Sequence, residues 1–283
     1  MIALLCACGI ALFLCLCLPR IGKRQIRRIS AGCAAALLLC TLGFQLLHHT
    51  QTGVYYTYRG SNEVLLLQDD SRAVLCDFST GSYTAQKNGL AAAKAAHITE
   101  LHGYLISHYH ARYIDSFPRL CGQIYIRTLY LPTPQDAQED AIYRALVQAA
   151  RALDIAVIRY EPYEKLPFAD TVIQPHASGQ SSSSHPTVAI SIRQDDRMLT
   201  YLGAGCHESD RAATAASAVK SSDLLIIGLH GGKEETKPRY TAFSSTLNTV
   251  LLPYADRVPT SLYEALGERA RTVDEGEIFY LPL

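Results

Sequence analysis

The chain has 283 residues, nine cysteines, no tryptophan and equal numbers of basic and acidic side chains, 26 of each. Residues 1–48 carry five bases and no acid, which leaves 21 bases against 26 acids, a formal −5, in residues 49–283. That acidity argues against a broadly basic nucleic-acid-binding surface, and three singly placed cysteines there (Cys76, Cys121, Cys206) exclude a disulfide framework.

Residues 1–19 and 31–47 are almost wholly apolar, and each approaches the roughly 20 residues that cross a bilayer as a helix. The bases Arg20, Lys23, Arg24, Arg27 and Arg28 lie between them. A secretory signal would carry its charge before the apolar run, not after it. The pattern predicts a transmembrane hairpin over 1–48 with its basic loop in the cytoplasm. The expectation is a multi-pass protein of the cell membrane, with residues 49–283 forming one extracytoplasmic domain. The six cysteines in or beside the apolar runs either serve there as small apolar residues or are acylated near an interface.

Residues 54–58, 63–68 and 73–78 are short β-rich runs separated by Gly60-Ser61-Asn62 and Asp69-Asp70-Ser71, which predicts a meander. Residues 89–101 are alanine-rich and read as a helix. Residues 103–107 read as a buried strand, and 111–120 as a short helix. A strand over 124–131 is closed by Pro132. A helix over 135–153 and strands over 155–160 and 171–174 follow, then a polar loop over 176–184. Residues 187–193 and 198–202 read as a hairpin around Gln194-Asp195-Asp196-Arg197. The remainder reads as a helix (208–220), a buried strand (223–229), a strand (249–254), a helix (261–269) and a last strand (277–281). Strands come first, then strands alternating with helices in two similar halves. This suits two sheets packed face to face with helices outside.

The strand over 103–107 delivers Ser107-His108-Tyr109-His110-Ala111-Arg112-Tyr113, an altered form of the metal motif S/T-H-x-H-x-D-H. On extended backbone His108 and His110 share one face and can present two imidazoles to one ion. Catalytic zinc usually takes three protein ligands and a water, and His185, His176 and His230 are candidates for the third. Two readings stay open: one bound Zn or Mn, or no metal and a histidine pair held by hydrogen bonds. Asp77 either orients a ligand histidine or caps the turn at the end of its strand. Gly231-Gly232-Lys233 either holds a phosphate through backbone N–H groups and the lysine or forms a tight turn. Tyr104, Tyr109 and Tyr113 either stack on bases of single-stranded DNA or pack inside. Arg112, Arg119, Lys233, Lys237 and Arg239 would converge if the loops that carry them meet.

Four stretches carry a family resemblance. Thr57-Tyr58-Arg59-Gly60-Ser61-Asn62-Glu63-Val64-Leu65-Leu66 is similar to D-V-G-Q-G-D-A-I-L-I, and Ala73-Val74-Leu75-Cys76-Asp77-Phe78 to T-V-L-I-D-G. Leu199-Thr200-Tyr201-Leu202-Gly203-Ala204 is similar to F-L-L-T-G-D. Asp223-Leu224-Leu225-Ile226-Ile227-Gly228-Leu229-His230-Gly231-Gly232-Lys233 is similar to A-D-V-L-K-V-G-H-H-G-S-K. In order and spacing the set resembles the metallo-β-lactamase fold, and within it the C-terminal domain of ComEC-type DNA-internalisation competence proteins. The resemblance implies an αββα four-layer sandwich, and His185 as the preferred third ligand because it precedes the strand where related hydrolases keep one. It also implies that Arg112 and Ala204 stand where aspartates would hold metals, that Tyr113 replaces a histidine, and that Leu229 replaces another. A dinuclear centre is therefore not expected. The expected role is in DNA uptake, with single-stranded DNA and a competence channel protein as partners and nuclease activity lost or weak. The alternative is an active mononuclear metal-dependent hydrolase that attacks a phosphodiester through a metal-bound water.

Overall fold

The computed structural model describes residues 52–60, 62–176, 189–203, 221–228, 247–253 and 260–283, together with Gly32, Ala35, Leu39 and Gly43. The chain divides into two units, Met1–Gln51 and Thr52–Leu283. Of the first, the four described residues are helical, and the expected membrane hairpin otherwise lies outside the described residues. Among the described residues no helix is long and apolar enough to cross a membrane.

The second unit opens with the expected meander: β1 (Gly53–Arg59), β2 (Asn62–Asp69) and β3 (Arg72–Asp77) pair antiparallel in sequence order. Helix α1 (Tyr83–Ala95) follows. It begins six residues earlier than expected, and Leu101 belongs to the short strand β4 (Glu100–Leu101). Next come β5 (Gly103–Ile106), α2 (Tyr113–Cys121), β6 (Tyr125–Ile126), β7 (Thr128–Pro132), α3 (Ala137–Ala152) and β8 (Ala156–Tyr160). The single strand expected over 124–131 is thus two. Tyr125 and Ile126 pair with β4, whereas Leu129 and Tyr130 pair with β5. Strands β9 (Leu166–Phe168), β10 (Thr171–His176), β11 (Ala189–Gln194), β12 (Arg197–Leu202), β13 (Leu224–Ile227) and β14 (Thr249–Pro253) lead to α4 (Thr260–Leu266). Strands β15 (Ala270–Val273) and β16 (Phe279–Pro282) end the chain. Neither β9 nor β15 was expected. The expected helix over 208–220 lies outside the described residues.

Two seven-stranded mixed sheets result. Their orders are β16-β1-β2-β3-β5-β7-β8 and β15-β14-β13-β12-β11-β10-β9. The alternation of side chains along each strand divides the core in two. Val54, Tyr56, Leu65, Leu67, Val74 and Cys76 of the first sheet meet Ile190, Ile192, Leu199, Tyr201, Leu224 and Ile226 of the second. The opposite face of the first sheet, with Val64, Leu66, Leu75 and Tyr104, packs on Ala92, Phe117 and Leu146 of α1, α2 and α3. The outer face of the second sheet, with Ala189, Leu202, Leu225 and Val250, packs on Leu266 of α4. The layers are helix, sheet, sheet, helix. Because both faces of both sheets are covered, central strands such as Val64-Leu65-Leu66-Leu67 are apolar without alternation.

Candidate functional site

The loops at one edge of the sandwich gather the chemistry. Strands β3 and β5 run parallel and end at Asp77 and Ile106. Parallel strands β12 and β13 end at Leu202 and Ile227. Phe78, just past β3, stacks on Tyr201 of β12 with ring centroids 3.9 Å apart, so the two sets of strand ends share an edge.

Ser107 extends the β3–β5 pairing by one bond, its N–H donating to the Asp77 carbonyl at 3.1 Å. Its hydroxyl donates to the same carbonyl at 2.9 Å and lies 2.7 Å from Nδ1 of His108. A hydroxyl has one proton. With that proton on Asp77, Ser107 accepts from His108 Nδ1–H, which leaves the Nε2 lone pair of the neutral ring open. Nε2 of buried His108 lies 2.8 Å from Nε2 of half-buried His110. The rings stand edge to face at 75°. The His110 proton thus bridges the two Nε2 atoms. Burial holds His110 below the usual histidine range; the Asp77 charge opposes this and the Arg112 charge adds to it.

Asp77 is fully buried at the floor of this edge. Its Oδ1 accepts from the Ser79 N–H at 2.8 Å and its Oδ2 from the Tyr104 hydroxyl at 2.6 Å. It therefore caps a turn, and its main-chain carbonyl is linked to His108 through Ser107. Burial pushes its carboxyl above the ordinary range, against the hydrogen bonds from Ser79 and Tyr104.

Tyr113, where the resemblance places a histidine, is completely buried and donates to the Ser79 carbonyl at 2.8 Å. Its ring covers Gly81, whose φ of +70° suits glycine and where a Cβ would lie 2.9 Å from the ring. Arg112, where the resemblance places an aspartate, is exposed at the N-terminus of α2 and lines a surface cleft. Tyr104, Tyr109 and Tyr113 are all buried, and Tyr109 donates to the Pro132 carbonyl. This corrects the base-stacking reading: each hydroxyl is spent inside the protein, and no ring face is open to a nucleobase.

His176, one of the candidate third ligands, closes β10, and its Nε2 lies 2.8 Å from the Ser191 hydroxyl, in a chain continued by Thr200 and Ser222 at 3.2 and 2.6 Å. Among the described residues no three His, Cys, Asp or Glu side chains are placed to hold a metal ion. His185, Ala204, Leu229, His230, Gly231 and Lys233 lie outside the described residues. So do Lys237 and Arg239. The described residues thus offer an ion two convergent imidazoles. They do not offer a dinuclear centre, because Tyr113 is committed to Ser79 and Arg112 supplies a cation.

Sequence reasoning missed Glu63. Wholly buried at the start of β2, it accepts from the Tyr56 hydroxyl at 3.1 Å and from the Tyr201 hydroxyl across the sheets. Gly228, just past β13, packs on both: a Cβ there would lie 2.6 Å from Oε2 of Glu63 and 2.5 Å from the Tyr201 oxygen. The signal available was a carboxylate directly before the apolar run Val64-Leu65-Leu66-Leu67.

No protein-family model matches the sequence, and no curated protein matches it. Among solved structures, the chain is similar to the metallo-beta-lactamase fold protein YhfI from Bacillus subtilis. The TM-score is 0.53 with 14% identity, over 81% of this chain and 100% of that one. It is also similar to CmlA, a diiron β-hydroxylase from Streptomyces venezuelae, with TM-score 0.49, 12% identity, and 82% and 54% of the two chains covered. A diphosphatase from the PhnP family gives TM-score 0.44, 14% identity, and 78% and 85% coverage. The likeness to YhfI establishes the metallo-β-lactamase fold. At this identity it establishes the fold alone, and the two lower scores carry no argument.

Proposed function

We propose that this chain is a membrane-anchored protein whose metallo-β-lactamase-fold domain, outside the cytoplasm, no longer runs a dinuclear hydrolase and serves DNA uptake beside a competence channel. The observation that carries the loss of dinuclear chemistry is the fate of Arg112 and Tyr113. The first is a cation lining a surface cleft, and the second is a buried hydroxyl spent on Ser79. A second divalent ion would lack ligands and meet the Arg112 charge nearby. Support for the anchor comes from the two apolar runs and from Leu39, which is helical yet 68% exposed. Support for the uptake role comes from the ordered motif resemblance. Deleting the gene in a competent host should lower transformation by DNA. Unchanged transformation overturns the uptake role.

A second reading is a mononuclear hydrolase with His108 and His110 as two ligands and His185 or His230 as the third. It is favoured by one observation, the convergence of the two Nε2 atoms with Ser107 fixing the His108 tautomer. A metal bound there would supply an activated water for hydrolysis. The protein's part would be to orient the His108 imidazole through Ser107 and Asp77 and to keep His110 neutral by burial. Elemental analysis of the purified full chain beside His108→Ala/His110→Ala separates the two readings. One Zn or Mn per chain, absent from the variant, favours the hydrolase. Substoichiometric metal unaffected by the variant favours the first reading.

A further inference from the structure

The cleft that Arg112 lines is a site in its own right. One wall is a single face of α2, where Arg112, Asp115, Ser116 and Arg119 recur at i, i+3, i+4 and i+7. The other is the first turn of α1 with the residue before its cap: Gly81, Ser82, Tyr83 and Gln86. The cavity holds about 290 Å³, at the lower end for small-molecule sites.

Its charge is unbalanced. Arg112 and Arg119 are exposed, and among the described residues neither makes an ion pair with Asp115 or any other acid. Lys87 adds a third cation at the rim, with Nζ 4.6 Å from the ring centroid of Tyr83. Tyr83 itself is 59% exposed, a large flat side chain left in solvent at the mouth. Arg112 also breaks a local rule: it starts a helix without a capping hydrogen bond, at the end where a positive side chain is electrostatically unfavourable. Two exposed guanidinium groups against the one carboxylate of Asp115 leave this small polar cavity with a net positive lining, which suits an anion. A dianion matches the two guanidinium groups, and Tyr83 offers an apolar wall to the group that bears it.

We propose that the α1–α2 cleft binds the dianionic phosphate of a small phosphomonoester, gripped by Arg112 and Arg119, with the esterified group lying against Tyr83. The proposal uses neither the histidine pair nor the uptake role, and it stands or falls apart from both.

The test is calorimetric titration of the full chain, purified in a non-ionic detergent. The probes are adenosine 5′-monophosphate, inorganic phosphate, adenosine and a single-stranded oligothymidylate. Adenosine monophosphate and phosphate should bind, the former more tightly, and adenosine should not. In Arg112→Gln/Arg119→Gln the affinity for both phosphates should fall by roughly tenfold or more for each guanidinium removed. Tyr83→Ser should weaken the monophosphate and leave inorganic phosphate unchanged. All three side chains are exposed, so the variants should keep the parent's thermal midpoint, which is measured alongside. Absence of binding by both phosphates, binding indifferent to the double variant, or binding by the oligonucleotide alone overturns the proposal.

Discussion

Asp77 concentrates the electrostatics of the candidate site in one buried carboxyl. Its value in the folded chain lies above the ordinary 3.8 because burial outweighs the hydrogen bonds it accepts. The folded state therefore holds this proton more tightly than the unfolded state does. The stability it contributes is complete below the unfolded value and is lost as pH rises through the folded one. Asp77→Asn keeps an oxygen for the Ser79 N–H and cannot ionise. The variant should gain stability relative to the parent as pH is raised above the ordinary 3.8, read as the difference in urea-unfolding free energy. A difference that does not change with pH would mean that Asp77 ionises equally readily folded and unfolded. Gly228 poses a steric question instead. A methyl group there falls within reach of Glu63 and Tyr201, both held by a buried hydrogen bond. Gly228→Ala should cost roughly 1–3 kcal/mol in the same measurement, the usual cost of overpacking, and a neutral result would show that the pair can move aside.

Helices α1 and α3 show what decides whether an element can be read from sequence. Asp136 caps α3 by accepting from the Glu139 N–H at 2.8 Å, and Glu139 reaches back to the Gln135 N–H at 2.7 Å. That reciprocal pattern is visible as an acid followed three residues later by Glu, and the expected start was close. Ser82 caps α1 through the Ala85 N–H at 3.3 Å, but the residue three on is alanine, so no box announces it. The first turn, Tyr83-Thr84-Ala85-Gln86, then passes for loop, and the expected helix begins late. Ser82 also donates to Oδ1 of Asn62 at 2.6 Å, tying α1 to β2. Its removal should therefore cost more than a cap alone. Asp136→Ala is expected to cost about 1 kcal/mol, and Ser82→Ala toward 2 kcal/mol, since a second hydrogen bond goes with it. Thermal or urea unfolding ranks the two, and the reverse order would mean that the Asn62 hydrogen bond contributes nothing.

At the scale of the whole molecule, the four-layer sandwich is legible because its central strands are apolar on both faces and its helices carry periodic patterns. Its edges are not. Strand β9 is Leu166-Pro167-Phe168, too short and proline-broken to read as a strand, and β15 has two exposed residues in four. Both exist because a neighbouring strand supplies their hydrogen bonds. The site divides the same way. His108 and His110 are two residues apart in the loop just past β5, so sequence spacing reveals them. The Glu63–Tyr201 hydrogen bond joins residues 138 apart on different sheets, and no local pattern encodes such a meeting. Tyr56 and Glu63 belong to the first sheet and Tyr201 to the second, so the carboxylate ties the faces together inside an otherwise apolar interface. Residues in one such network couple by about 0.5–3 kcal/mol. A double-mutant cycle of Glu63→Gln and Tyr201→Phe should therefore give a coupling of at least ~1 kcal/mol in urea unfolding. Strict additivity would mean that apolar packing alone holds the sheets in register, and that the carboxylate is kept at the site edge for chemistry rather than for the fold.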